Sequence, residues 1–170
     1  MTLTLEQLNT MPPSEAARQL VSCCGSSRWV DGVVARRPFD SVDQLISVSD
    51  EVWRATGPSD WSEAFAHHPR IGERQAAAHV SATAQAWSAG EQHAASGDQT
   101  RGALAEANAA YERRFGRIYL VCAVGLSGEQ LLADIGNRMR NPPERELAIA
   151  VEEQRKITTL RLKALIGPRQ

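Results

Sequence analysis

Apolar residues recur at three- and four-residue spacing along almost the whole chain, and alternating β-branched runs are nearly absent. This pattern predicts an all-α fold, a single compact domain of about eight helices over residues 1–170. A short segment around Thr4–Asn9 leads to Pro12-Pro13, where a second helix starts and runs through Ala16, Leu20 and Val21 to a stop at Gly25. A third is expected over Ser27–Ala35. Ser41 followed by Gln44 reads as a capping box ahead of Leu45, Ile46, Val52 and Trp53, in a helix ended by Gly57-Pro58. Ser59 or Asp60 then caps a helix that carries Trp61, Ala64 and Phe65 towards His68.

Pro69 disfavours helical dihedrals for His68, so that helix should end there and project the imidazole from its terminus. Gly72 lets the backbone turn sharply. A helix from about Arg74 to His93 would place Ala77, Val80, Ala84 and Trp87 on one apolar stripe, with Glu91 on the same line. From Ser96-Gly97-Asp98 another helix repeats Leu104, Asn108, Tyr111 and Phe115, with Asn108 interrupting the stripe. Gly116 offers a break or a close-approach point. The continuous apolarity of Ile118–Val124 predicts a buried helix or an extension of the one before it. Ser127 caps Glu129–Arg138, and a long last helix follows Asn141-Pro142-Pro143 to about Ile166, closed by Gly167-Pro168. Leu147, Val151, Thr158 and Leu165 share one face of it; Arg161 lies inside that sector, Arg155 and Lys163 outside.

Composition narrows the function classes. With 19 basic residues against 20 acidic ones, a nucleic-acid surface would need local clustering, and Arg36-Arg37 and Arg113-Arg114 are too small for it. No stretch approaches the roughly 18 apolar residues of a membrane span, and no charged region precedes an apolar core at the N-terminus. A cytoplasmic protein is expected. The ending Pro168-Arg169-Gln170 is not a Ser-Lys-Leu address. Cys23, Cys24 and Cys122 lack metal-ligand spacing and read as reduced core thiols.

The chemistry-bearing residues converge on one region. A carboxylate such as Glu91 in an apolar stripe is either paired or functional, because burying it alone is too unfavourable. Ser88 is one helical turn before it and Gln92 is on the flank, so the three can line a pocket wall. Gly90 costs such a helix about 1 kcal/mol relative to alanine, which means a close approach or a fraying end. His68 is a helix-end hydrogen-bonder or a general acid–base; its type titrates nearest neutrality. Arg161 is a buried ion-pair partner, with Glu91 a candidate, or a planar fork for a carboxylate or ureide oxygen. Two rival classes remain. One is a metal-dependent amidohydrolase using His67, His68, His79 and His93 with Glu91, although those spacings match no common zinc signature. The other is a non-catalytic helical interaction module, which inward-facing Glu91 and Arg161 do not suit.

His68-Pro-Arg-Ile-Gly72, Ser88-x-x-Glu91-Gln92, Asn108-x-x-Tyr111-x-x-x-Phe115-Gly116, Arg138-x-x-Asn141 with Glu146, and Glu153-x-x-x-Ile157-x-x-x-Arg161-Leu162 stand in this order along the chain. Together they resemble the 2-oxo-4-hydroxy-4-carboxy-5-ureidoimidazoline (OHCU) decarboxylase family, from about Leu5 to Leu165. The resemblance implies an all-helical, cofactor-free and metal-free homodimer. It also implies a small-molecule reaction, decarboxylation of the last unstable intermediate of urate oxidation to (S)-allantoin. By motif position, His68 and Glu91 are the implied catalytic residues, Ser88, Gln92 and Arg161 substrate contacts, and Pro69 a pocket-shaping residue. Backbone groups of Tyr119, Leu120, Val121 and Cys122 are further implied contacts. Where the family often has Phe-Gly-Phe-Pro-Phe, this chain has Phe115-Gly116-Arg117-Ile118-Tyr119, without the proline.

Overall fold

The computed structural model describes residues 2–71 and 98–167, so the helix expected near 74–93 lies outside the described residues. Eight helices and no strand occur among those described: α1 (Leu5–Thr10), α2 (Pro13–Leu20), α3 (Ser27–Val34), α4 (Val42–Arg54), α5 (Pro58–Ala66), α6 (Asp98–Phe115), α7 (Gly128–Arg138) and α8 (Pro143–Leu165). Side chains set many of the boundaries. Thr4 and Ser127 form capping boxes with Gln7 and Gln130, and Pro13 occupies the first turn of α2. Ser41 caps α4 by accepting from the Gln44 amide, but Gln44 Oε1 reaches past it to the Asp40 amide. At α5 the expected cap is displaced. Pro58 opens the helix, Ser59 lies within it, and Asp60 Oδ2 reaches back to accept from the Gly57 amide at 2.9 Å.

The chain forms two compact units. The first joins Met1–Ala64 to Arg155–Gln170. Within it α3 packs on both α2 and α4, and Leu8, Leu20, Trp29, Val33, Leu45 and Leu162 are fully buried. Gly32 permits the α3–α4 approach, since a Cβ there would lie 2.6 Å from Val52 Cγ1. The buried Trp29 indole donates to the Ser49 carbonyl and hydroxyl, both at 3.2 Å. Backbone bonds from Leu3 N to Leu165 O and from Gly167 N to Leu3 O fasten the two chain ends.

The second unit is Phe65–Gln154, in which α6 packs on α7. Its core gathers Ile71, Leu104, Tyr111, Phe115, Tyr119, Leu131 and Ile135. Leu104, Asn108, Tyr111 and Phe115 are all buried, as their spacing predicts. One expectation fails here, and the face expected on α8 holds at Thr158, Arg161 and Leu165 but not at its start. Ile118–Val124 is not helical: it is an irregular segment with Tyr119, Leu120 and Ala123 buried, while Val124 is 52% exposed. The cause is Gly116, which ends α6 at φ +67° while its amide bonds the Glu112 carbonyl at 2.8 Å. Among the described residues a Cβ at Gly116 would meet nothing within 4 Å, so what this glycine supplies there is the helix break. In α8, Leu147 and Val151 are only half-buried. The buried line runs through Glu146, Ala150, Gln154, Ile157, Thr158, Arg161 and Leu165, and polar members carry much of it.

Candidate active site

The His68–Ile71 segment follows α5 and is held by its own backbone and by α6. The His68 amide bonds the Phe65 carbonyl at 3.1 Å, which turns the chain at the helix end. Arg70 makes a two-point contact with the Glu112 carboxylate of α6. Asn108 Nδ2 donates to the Ile71 carbonyl at 2.9 Å, and the Ile71 side chain enters the core. The asparagine that interrupts an apolar stripe thus serves a loop carbonyl. Replacing Asn108 with leucine is expected to destabilise the protein by about 1–3 kcal/mol, because that carbonyl loses its donor. An unchanged urea midpoint would show that the bond carries no weight.

His68 itself is buried, with 8% exposure, and its Nε2 lies 2.9 Å from Oε1 of Gln154, which is fully buried on α8. A glutamine is neutral, so its amide oxygen fixes the ring without demanding a charge on it. Pro69 is half-buried beside it in sequence.

The Tyr119–Cys122 segment is fixed from two helices. Arg138 of α7 donates to the Leu120 carbonyl at 2.7 Å, and the Cys122 amide donates to Glu153 Oε2 of α8 at 2.8 Å. The Arg138 guanidinium also lies 4.8 Å from the Tyr119 ring centroid. Behind it is a buried network: Glu146 Oε1 accepts from the Tyr111 hydroxyl at 2.6 Å and from Arg138 Nε at 2.7 Å, while Oε2 accepts from Asn141 Nδ2 at 2.9 Å. The Tyr119 hydroxyl donates to Asp134 at 2.5 Å. Burial, then the carboxylate each phenol faces, pushes Tyr111 and Tyr119 well above the usual tyrosine range, so both stay protonated donors.

Arg161 belongs to the first unit, is 3% exposed and donates to the Ser22 carbonyl at 3.4 Å. Cys23 and Cys24 are buried free thiols, whereas Cys122 is half-buried. Burial raises both buried thiols, Cys24 to about 12, so they remain protonated despite the nearby Arg161 charge. Glu91, Ser88 and Gln92 lie outside the described residues, as do His79, His93 and the glycines at 72 and 90. Among the described residues no three His, Cys, Asp or Glu side chains are grouped as a metal site.

Gln154, Glu153, Asp134 and Glu112 were not marked by the sequence pattern as partners of this region. Only Gln154 left a signal: it falls four residues after Ala150 and three before Ile157, on a buried line.

An imidazole set at a helix end by a neutral buried amide, followed in the chain by Arg70 paired with Glu112, is an arrangement suited to acid–base work on a small molecule. Residues 9–163 match the model of the OHCU decarboxylase family, and the chain belongs to that family. It is 34% identical over 148 residues to the uric acid degradation bifunctional protein TTL of Arabidopsis thaliana, across 85% of this chain and 45% of that protein. It is 39% identical over 59 residues to the 2-oxo-4-hydroxy-4-carboxy-5-ureidoimidazoline decarboxylase of Amia calva, across 35% of this chain and 34% of that one. The chain therefore spans less than half the length of these curated relatives. A crystal structure of OHCU decarboxylase in the presence of (S)-allantoin superposes with TM-score 0.74 at 30% identity, covering 88% of this chain and 98% of that one. A crystal structure of (S)-allantoin synthase, at 19% identity and TM-score 0.70, covers 96% of this chain and 54% of that one and shares the fold.

Proposed function

We propose that the protein decarboxylates 2-oxo-4-hydroxy-4-carboxy-5-ureidoimidazoline to (S)-allantoin without a cofactor. The observation that carries this is the family match over residues 9–163, whose histidine motif is the segment that places His68 against Gln154. That match spans residues of both compact units, which supports a single functional domain.

The chemistry asks little of the protein beyond placement and protons. When carbon dioxide departs, the electron pair left behind passes into the neighbouring carbon–nitrogen double bond of the ring. The enzyme must orient the substrate, exclude water and deliver a proton to one face, since uncatalysed decay would give racemic allantoin. His68 bonds the ring hydroxyl beside the departing carboxylate and takes its proton as charge develops. Glu91 orients His68 or the ring nitrogens, and one of the two governs proton delivery. Ser88 and Gln92 meet the alternating donors and acceptors of the urea-like edges, and Pro69 shapes the wall. With the Cys122 amide given to Glu153, the contacts from Tyr119, Leu120, Val121 and Cys122 fall to their remaining backbone groups.

Arg161 holds ureide or ring oxygens, because gripping the departing carboxylate would stabilise the ground state more than the transition state. Arg161→Lys keeps the charge and loses the planar fork, so KM is expected to rise about 10-fold with a smaller change in kcat. Steady-state kinetics giving an unaltered KM would remove Arg161 from the substrate contacts. A homodimer and a cytoplasmic location complete the proposal; among the described residues no helix is long and apolar enough to cross a membrane.

The test generates the intermediate from urate with urate oxidase and hydroxyisourate hydrolase, adds this protein and follows circular dichroism. Rapid appearance of the (S)-allantoin signal is expected. A rate equal to the protein-free control would refute the proposal.

A further inference from the structure

We propose that Gln154 is a positioning residue for the reaction: it holds the His68 ring with the proton on Nε2, so that Nδ1 carries the lone pair that works as the base. This rests on the decarboxylase function proposed above and goes beyond it by naming the residue that sets the tautomer. The geometry is direct. Gln154 Oε1 lies 2.9 Å from His68 Nε2, and the two side chains are 0% and 8% exposed, so water does not compete freely for this bond. A carbonyl oxygen only accepts, so the ring nitrogen facing it must carry the hydrogen. In a neutral imidazole the other nitrogen is then the acceptor, a general base is useful only when its lone pair faces the reacting proton, and Glu91 is thereby assigned to the substrate's ring nitrogens rather than to His68.

Gln154 is carried by α8, and the adjacent Glu153 fixes the Cys122 amide from the same turn, so one stretch of helix sets both the imidazole and that amide. Neutrality also matters. A carboxylate in place of the amide would favour imidazolium, the form that cannot accept a proton; glutamine orients the ring and leaves its basicity available.

The test reads the ring and the rate separately. Long-range 15N–1H spectra of the labelled protein, with the His68 signals assigned through His68→Ala, should show the Nε2-protonated pattern for neutral His68. In Gln154→Leu that pattern should give way to a tautomer mixture, with kcat lower by about 10-fold or more and KM changed less. Gln154→Glu keeps an acceptor at the same reach and should retain the Nε2 proton, which guards against a leucine variant that fails to fold. An Nδ1-protonated pattern in the unsubstituted protein overturns the proposal. So does a Gln154→Leu variant that keeps both the pattern and kcat. The expected spectra in a protein with no decarboxylase activity would uphold the contact and refute the function instead.

Discussion

Glu146→Leu is expected to lower the unfolding free energy by about 3–5 kcal/mol, because it removes the buried carboxylate against Arg138 and leaves that charge only Asp134, part-exposed and 3.7 Å away. Glu146 is 0% and Arg138 5% exposed, and their side chains approach to 2.6 Å. The carboxylate also satisfies the Tyr111 hydroxyl and Asn141. Leucine approximates the volume and answers none of these donors. For a chain of 170 residues, a loss of this size corresponds to a fall in Tm of about 10 °C. Arg138→Met combined with Glu146→Leu should recover part of it, since the buried charge is gone while the Tyr111 hydroxyl and the Leu120 carbonyl still lack partners. Thermal or urea unfolding decides the matter. A single variant within 1 kcal/mol of the unsubstituted protein, on the order of one hydrogen bond, would mean that the network is not what holds the segment after α6.

That network explains why some of this protein could be read from its sequence and some could not. The α6 stripe was legible because three of its four buried members are apolar and the fourth, Asn108, keeps the helical period. Caps at Ser41 and Ser127 were legible because they depend on residues three apart. The α8 face was harder. Glu146, Gln154 and Arg161 are buried there, so a search for hydrophobic periodicity settles on Leu147 and Val151, which are only half-buried. Ile118–Val124 misled for the opposite reason. Its apolar letters imply a buried helix, but Gly116 turns the chain and Arg138 and Glu153 serve backbone groups that a helix would have paired internally. Such long-range pairings carry no local signature.

The same division applies to the site. Pro69 marks His68 as a helix-end residue by local sterics alone, and the structure places it just beyond Ala66. Its anchor, 86 residues away in the sequence, is marked only by its place on the buried line of α8, and nothing local ties it to the histidine. Asn108–Ile71 and Arg70–Glu112 likewise join α6 to a segment about forty residues earlier. The resemblance quoted Asn108, Tyr111, Arg138, Asn141, Glu146 and Glu153 without giving them tasks. The structure assigns those tasks: Asn108 holds the histidine segment, Tyr111 and Asn141 donate to Glu146, and Arg138, backed by Glu146, holds Leu120, as Glu153 holds Cys122.

His68→Ala should lower kcat by about 10²-fold or more, close to 2.7 kcal/mol of transition-state stabilisation, while the fold persists. Structure and activity separate cleanly at this position because the histidine is held by its neighbours more than it holds them. Ile71 is anchored through Asn108 and Arg70 through Glu112, neither of which involves the imidazole. Among the described contacts the substitution removes the hydrogen bond to Gln154, for which a stability loss on the order of 1–3 kcal/mol is expected. Helical circular dichroism and the urea midpoint report the fold, and the rate of (S)-allantoin formation reports the chemistry. If the variant stays folded and its rate stays near normal, the proton leaves the substrate by another route and Glu91 becomes the residue to test. If activity and the folded state disappear together, the histidine is an end-cap for α5 first, and its catalytic part must be measured with His68→Asn, which can replace the hydrogen bond but cannot act as a base near neutral pH.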